Sequence, residues 1–124
     1  MRQYDPDKTP DPSQWLALDE GDRIELIVRH HERHQVVVPN LRAHAAIHAV
    51  VETQIAMGDE LPVAATLARL QSEGLDRHDA LHAIGSVLAE QLHGVASGTV
   101  PSDPNAAYAA ALGRLNAKSW RHAR

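Results

Sequence analysis

The chain has 124 residues, no cysteine, nine histidines and a net charge of -4 with histidine neutral. That length suits one domain, and the lack of cysteine excludes disulfides, iron–sulfur clusters and thiolate metal sites. Basic residues are scattered rather than striped among aromatics, which argues against nucleic acid as a partner, and no apolar run approaches the roughly 18 residues that a membrane span needs.

Apolar residues make up 44% of the chain, alanine prominent among them, with two Trp, two Tyr and no Phe. Such a core suits closely packed helices, so the expected fold class is all-α, a bundle of about five helices. Met1 to Pro12 is charged, carries three prolines and lacks the apolar run of a signal peptide, which predicts a flexible arm and a cytoplasmic protein. The bias toward Ala, Arg, Asp and Val points to a bacterial source. A single helical domain is expected over 13–118, followed by a tail over 119–124 that includes a surface His122.

Trp15, Leu16 and Leu18 form an apolar cluster in a helical turn started by Pro12 and Ser13. Asp19 then caps a first long helix over about Glu20 to His34, with Asp22 in its first turn. Ile24, Ile27, Val28 and His31 recur on one face of it, which places His30 and His34 toward solvent. Gln35 to Val38 reads as an extended connector before Pro39. Asn40 caps a second helix that runs to about Met57 and ends at Gly58. A third spans Leu61 to Glu73 with Pro62 in its first turn, Gly74 past its end, and Val63, Leu67 and Leu70 on one face. Asp76 caps a fourth, along which His78, Leu81, His82, Gly85, Leu88 and Leu92 share a stripe. Gly94 to Pro104 is a loop, although His93 just before it has no partner spacing and is expected at the surface. Asp103 and Pro104 start a fifth helix, whose stripe is Tyr108, Ala111, Leu112 and Leu115.

The chemistry lies in two histidine pairs. His44 and His48, and again His78 and His82, are four residues apart, so each pair puts two imidazoles on one helix face, one turn apart. This is the spacing with which helical histidines bind zinc. Glu52 lies one turn beyond His48 and offers either a direct oxygen ligand, a general base, or an outer acceptor that fixes a ligand's tautomer. Both pairs point where the apolar residues point. Buried imidazoles have to be satisfied, and a metal ion does so. The candidate ligands are therefore His44, His48, His78, His82 and Glu52, with His31 as a further one. Nitrogen-rich ligation suits Zn, Fe, Ni or Cu better than Mg or Ca. Asn40, Gln54 and Asp79 are candidates for an outer role, and Arg77 is expected to face water, a carboxylate or an anionic substrate.

Asn40, His44, His48, Glu52 and Gln54 spell N-x3-H-x3-H-x3-E-x-Q, and Asp79, Ala80 and His82 spell D-A-x-H. This pattern resembles the bacterial family grouped as domain of unknown function 1841, over roughly Trp15 to Leu92. The resemblance implies a small, mostly helical cytosolic protein centred on the histidine motif, and it carries no reaction.

Three functions follow from the residues. The first is a metal-binding helical protein with a transition-metal site between two helices, whose enzymatic versions are a hydrolase, with Glu52 as base, or an oxidoreductase, on a small-molecule substrate that the residues leave unspecified. The second is a structural metal site, a metal store or a sensor, for which four closed ligands are expected. The third is a metal-free interaction module, a homodimer through the alanine-rich segment Asn105 to Ala117 whose association follows the histidine pKa.

Overall fold

Most of the helices begin where a short polar side chain can hold the first free N–H groups. In the computed structural model, which describes residues 1–123, Asp11, Asp19, Asn40, Asp76 and Asp103 each accept a hydrogen bond from the backbone N–H three residues on. They start α1 (Pro12–Ala17), α2 (Glu20–Arg33), α3 (Leu41–Ala56), α5 (Arg77–Ala96) and α6 (Pro104–Arg114). Between α3 and α5, a single 3-10 turn at Gly58–Glu60 leads into α4 (Val63–Ser72). The last helix, α7, is Ala117–Ala123. The described residues thus hold seven helices and no strand, an all-α fold with two helices more than expected. None of these helices is long and apolar enough to cross a membrane.

Helix ends follow local chemistry as closely. Gly74 has a φ of 103°, which lets Leu75 N–H reach back to the Leu70 carbonyl and close α4. A side chain there would also run into Arg121, 2.8 Å from the position of a Cβ.

The apolar residues gather in two clusters that share α3. Tyr4, Trp15, Leu26, Ile27, Val28, Ala45 and Ala49 form one, from the N-terminal segment and the first three helices. Val51, Val63, Leu67, Leu70, Leu81, Ile84, Leu88 and Leu112 lead the other, from α3 to α7. Small residues on α3 and α5 let their backbones come close. At Gly85 the approach is tight, because a Cβ there would stand 3.3 Å from Ile47 Cγ2.

Three expectations need correction. The segment 1–12 is not a free arm: Tyr4 and Pro6 are fully buried, and the Pro6 carbonyl accepts from Arg77 at 2.9 Å. A buried aromatic ring and a held carbonyl outweigh the composition of the surrounding residues. The expected tail enters a helix, whose Trp120 is partly buried against the second cluster. The side chain of His122 and the whole of Arg124 lie outside the described residues. Leu92, placed on the α5 stripe, is 51% exposed because α5 outruns the helices packed on it.

Candidate metal centre

Helices α2, α3 and α5 meet along their histidine-bearing faces. His44 and His48 stand one turn apart on α3 with ring centroids 6.0 Å apart, and His78 and His82 on α5 with centroids 4.4 Å apart. Across the seam, His82 lies 5.2 Å from His44 and 5.7 Å from His48. His31 of α2 approaches His44 to 4.9 Å. The rings therefore form a continuous imidazole layer.

Within that layer, one donor atom each from His44, His48 and His82 lies within 4.8 Å of the others. Nitrogens around a tetrahedral zinc stand about 3.3 Å apart, a spacing that small rotations of the rings can reach. These three histidines can hold a metal ion. Two of their nitrogens, His44 Nε2 and His48 Nδ1, are buried and make no hydrogen bond. An unpaired polar atom in the interior is costly unless something ligates it.

The environment also leaves the lone pair of His48 on the nitrogen that makes no hydrogen bond. The Tyr4 hydroxyl donates its one proton to Glu52 Oε2, so it can only accept from His48 Nε2, 3.0 Å away. His48 is thereby protonated on Nε2, which leaves the lone pair on Nδ1. Glu52 is fixed in turn by Arg77, which reaches Oε1 at 2.7 Å and Oε2 at 2.8 Å. All four side chains, His48, Tyr4, Glu52 and Arg77, are buried. Burial, then the Glu52 carboxylate beside it, holds the Tyr4 phenol well above its ordinary pKa, so it stays a donor. Burial, then the charge of His82 and other imidazoles, pushes His48 well below its ordinary value, and burial lowers His44 as well. Both are neutral at pH 7, as metal ligation requires.

Over the trio lies a cavity of about 520 Å³. Ala43, Ile47, Leu81, Gly85, Ala89 and Trp120 supply its apolar walls, and Ser86 joins the three histidines as its polar lining. Ala43, Ser86 and Ala89 are exposed, so the cavity opens to solvent at their end.

Of the six expected ligands, the structure brings together His44, His48 and His82. Glu52 is not a direct ligand or a free base here, because both of its oxygens are taken by Arg77 and Tyr4. It is linked to His48 instead through the Tyr4 phenol. His78 lies beside the trio, its ring stacked on His48 at 6.0 Å, with Nε2 buried and without a hydrogen bond. His31 is buried and donates from Nδ1 to the Ile27 carbonyl at 2.9 Å, which leaves its lone pair on Nε2 outside the trio.

The other candidates separate by local chemistry. The Asn40 side chain caps α3 at Ala43 N–H and Gln54 accepts from Tyr108 at 2.8 Å, so both side chains are engaged in the fold. Asp79 sits in the first turn of α5, its backbone N–H held by the Asp76 cap. His34 and His93 are exposed as expected, but His30 is buried, wedged among Tyr4, His31, His34 and His78. Two functional residues escaped sequence reasoning altogether: Tyr4 as the phenol of the relay, and Trp120 as a wall of the cavity. Their one signal was rarity, since the chain has only four aromatic residues, two Trp and two Tyr.

No protein-family model, curated protein or solved structure matches the chain.

Proposed function

We propose that the protein is a metal-dependent enzyme whose transition-metal ion is held by His44, His48 and His82 at the floor of the cavity. The observation that carries this is the pairing of three convergent imidazoles with a cavity that opens to solvent. A structural zinc has four protein ligands and no opening, whereas three ligands and an approach for a further group are the pattern of catalytic sites. When bound, the ion would supply Lewis-acid or redox chemistry to a small molecule in the cavity. The chain's own residues hold the imidazoles neutral, fix the tautomer of His48 and keep bulk water to one side. Zn, Fe, Ni and Cu all suit three nitrogen donors.

The occupied state of Glu52 argues against the version in which it serves as a hydrolytic base. Within this proposal the motif shared with domain of unknown function 1841 has a division of labour. Asn40 starts the helix, His44 and His48 supply nitrogens, and Glu52 positions His48.

Elemental analysis of protein purified without a tag tests the reading. About one equivalent of a transition metal is expected in the wild type, with most of it lost in His48→Ala and in His82→Ala. Variants that fold and keep the wild-type metal content would refute the site.

A further inference from the structure

Resting on that reading, we infer that the cavity over His44, His48 and His82 takes a small organic monoanion, a carboxylate on a hydrocarbon body whose head faces the metal. Charge is the first argument. Three imidazoles ligate as neutral groups, so they leave both charges of a divalent ion uncompensated. The buried carboxylate nearest the trio, Glu52, is already neutralised by a two-pronged contact with Arg77. Among the described residues, no Asp, Glu, Lys or Arg lines the cavity. An unpaired charge in such surroundings is costly, and a negatively charged donor arriving from the open side offsets it.

The walls decide the rest of the molecule. Among the described lining residues, the polar groups besides the three histidines are the indole N–H of Trp120 and Ser86, whose hydroxyl is turned back to the His82 carbonyl at 3.0 Å. So few polar groups among the described residues suit a sugar, a phosphate or a second charged group poorly. A volume of about 520 Å³ falls among those of small-ligand sites. It exists because the residues around it are small, with Ala43 and Ala89 at the exposed mouth and Gly85 deeper in. Trp120 closes one side with a flat apolar surface suited to a hydrocarbon chain or ring. A site with a cationic floor, apolar walls and an open mouth discriminates by head charge and by body length together.

The test is calorimetric titration of tag-free, zinc-loaded protein with hexanoate, acetate and hexanamide. Hexanoate is expected to bind at one equivalent, at least tenfold more tightly than acetate, which lacks the body, and than hexanamide, which lacks the charge. Metal-free protein is expected to lose the preference for hexanoate over hexanamide. Ala89→Phe, a change at an exposed helix position that fills the mouth, should weaken hexanoate at least tenfold while zinc still binds at one equivalent. If zinc binds at one equivalent through the trio but hexanoate binds no better than acetate or hexanamide, the ligand class is wrong and the metal site stands. If no zinc binds, the metal reading itself has failed, and the ligand class falls with it.

Discussion

The tautomer of one imidazole depends on a tyrosine that precedes it by 44 residues. Tyr4→Phe keeps the ring that packs on Trp15 and His48 but removes the acceptor for His48 Nε2–H and the donor to Glu52. A buried donor left without a partner costs about 1–3 kcal/mol. Loss of such an outer contact typically weakens metal binding by about 10- to 100-fold. Urea unfolding of the metal-free variant and zinc competition against a chromophoric chelator measure the two effects separately. A variant that loses stability but binds zinc as the wild type does would show that Tyr4 supports the fold and not the ligand. Arg77→Met is expected to cost more, about 3–5 kcal/mol, because it leaves the Glu52 carboxylate buried and unpaired. At this scale the sequence was only partly legible. The four-residue spacing on each helix placed His44, His48 and His82 on inward faces, since that geometry is local. It gave no information about which buried cation Glu52 would meet. Arg77 is an ordinary N-terminal helix residue until α3 and α5 are packed together, and Tyr4 is hidden in a segment whose composition resembles a solvated arm.

Among the elements, α2 ends in an unusual way. Gln35 adopts a φ of 55°, and Val36 N–H reaches the His31 carbonyl at 2.9 Å. The same closure at the end of α4 uses Gly74, and at the end of α5 it uses Gly98 with a φ of 87°. The left-handed conformation costs a residue with a side chain about 1–2 kcal/mol, and glycine gives part of that back through its greater freedom when unfolded. Gln35→Gly is therefore expected to stabilise the protein by about 0.5 kcal/mol. The measurement is the urea midpoint at constant slope. An unchanged or lower midpoint would mean that the Gln35 side chain contributes more than the strain it introduces. Capping signals made most of the helix starts readable, because an Asp or Asn and the N–H three residues on are neighbours in any context. The start of α7 was not readable in this way. Its cap is Asn116, bonded to Ser119 N–H at 2.8 Å, but Arg, Lys and His around Trp120 mask any apolar stripe. What anchors this helix is distant: Glu73 accepts from Ala117 N–H at 2.9 Å and pairs with Arg69.

For the molecule as a whole, an imidazole layer between packed helices links folding to pH. Periodicity showed that histidines face inward, but not how many rings from three helices would meet, and His30 was expected in solvent for that reason. Burial, followed by the charges of neighbouring imidazoles, lowers the pKa of His30, His44 and His48 below the ordinary 6.5. Below that value the unfolded chain takes up protons that the folded protein refuses, so acid draws the equilibrium toward unfolding. Stability of the metal-free protein is thus fully present above about pH 6.5 and declines as pH falls toward the lowered folded values. Each such group contributes a slope of at most about 1.4 kcal/mol per pH unit. Asp11, lowered by Ser13 and then by the Gln14 N–H, and Glu73, lowered by the Ala117 N–H and then by Arg69, both titrate at more acid pH than this window. Urea midpoints of chelator-treated protein at pH 7.5 and 5.5 measure the effect, and a clear fall at pH 5.5 is expected. Zinc at pH 7.5 should raise the midpoint, since it binds the folded trio and competes only with protons. That gain should shrink at pH 5.5, because protons compete more strongly with the metal for the imidazole lone pairs there. A midpoint unchanged between the two pH values would mean that the rings reach water freely, and a layer open to water would not leave His48 Nδ1 in need of a metal.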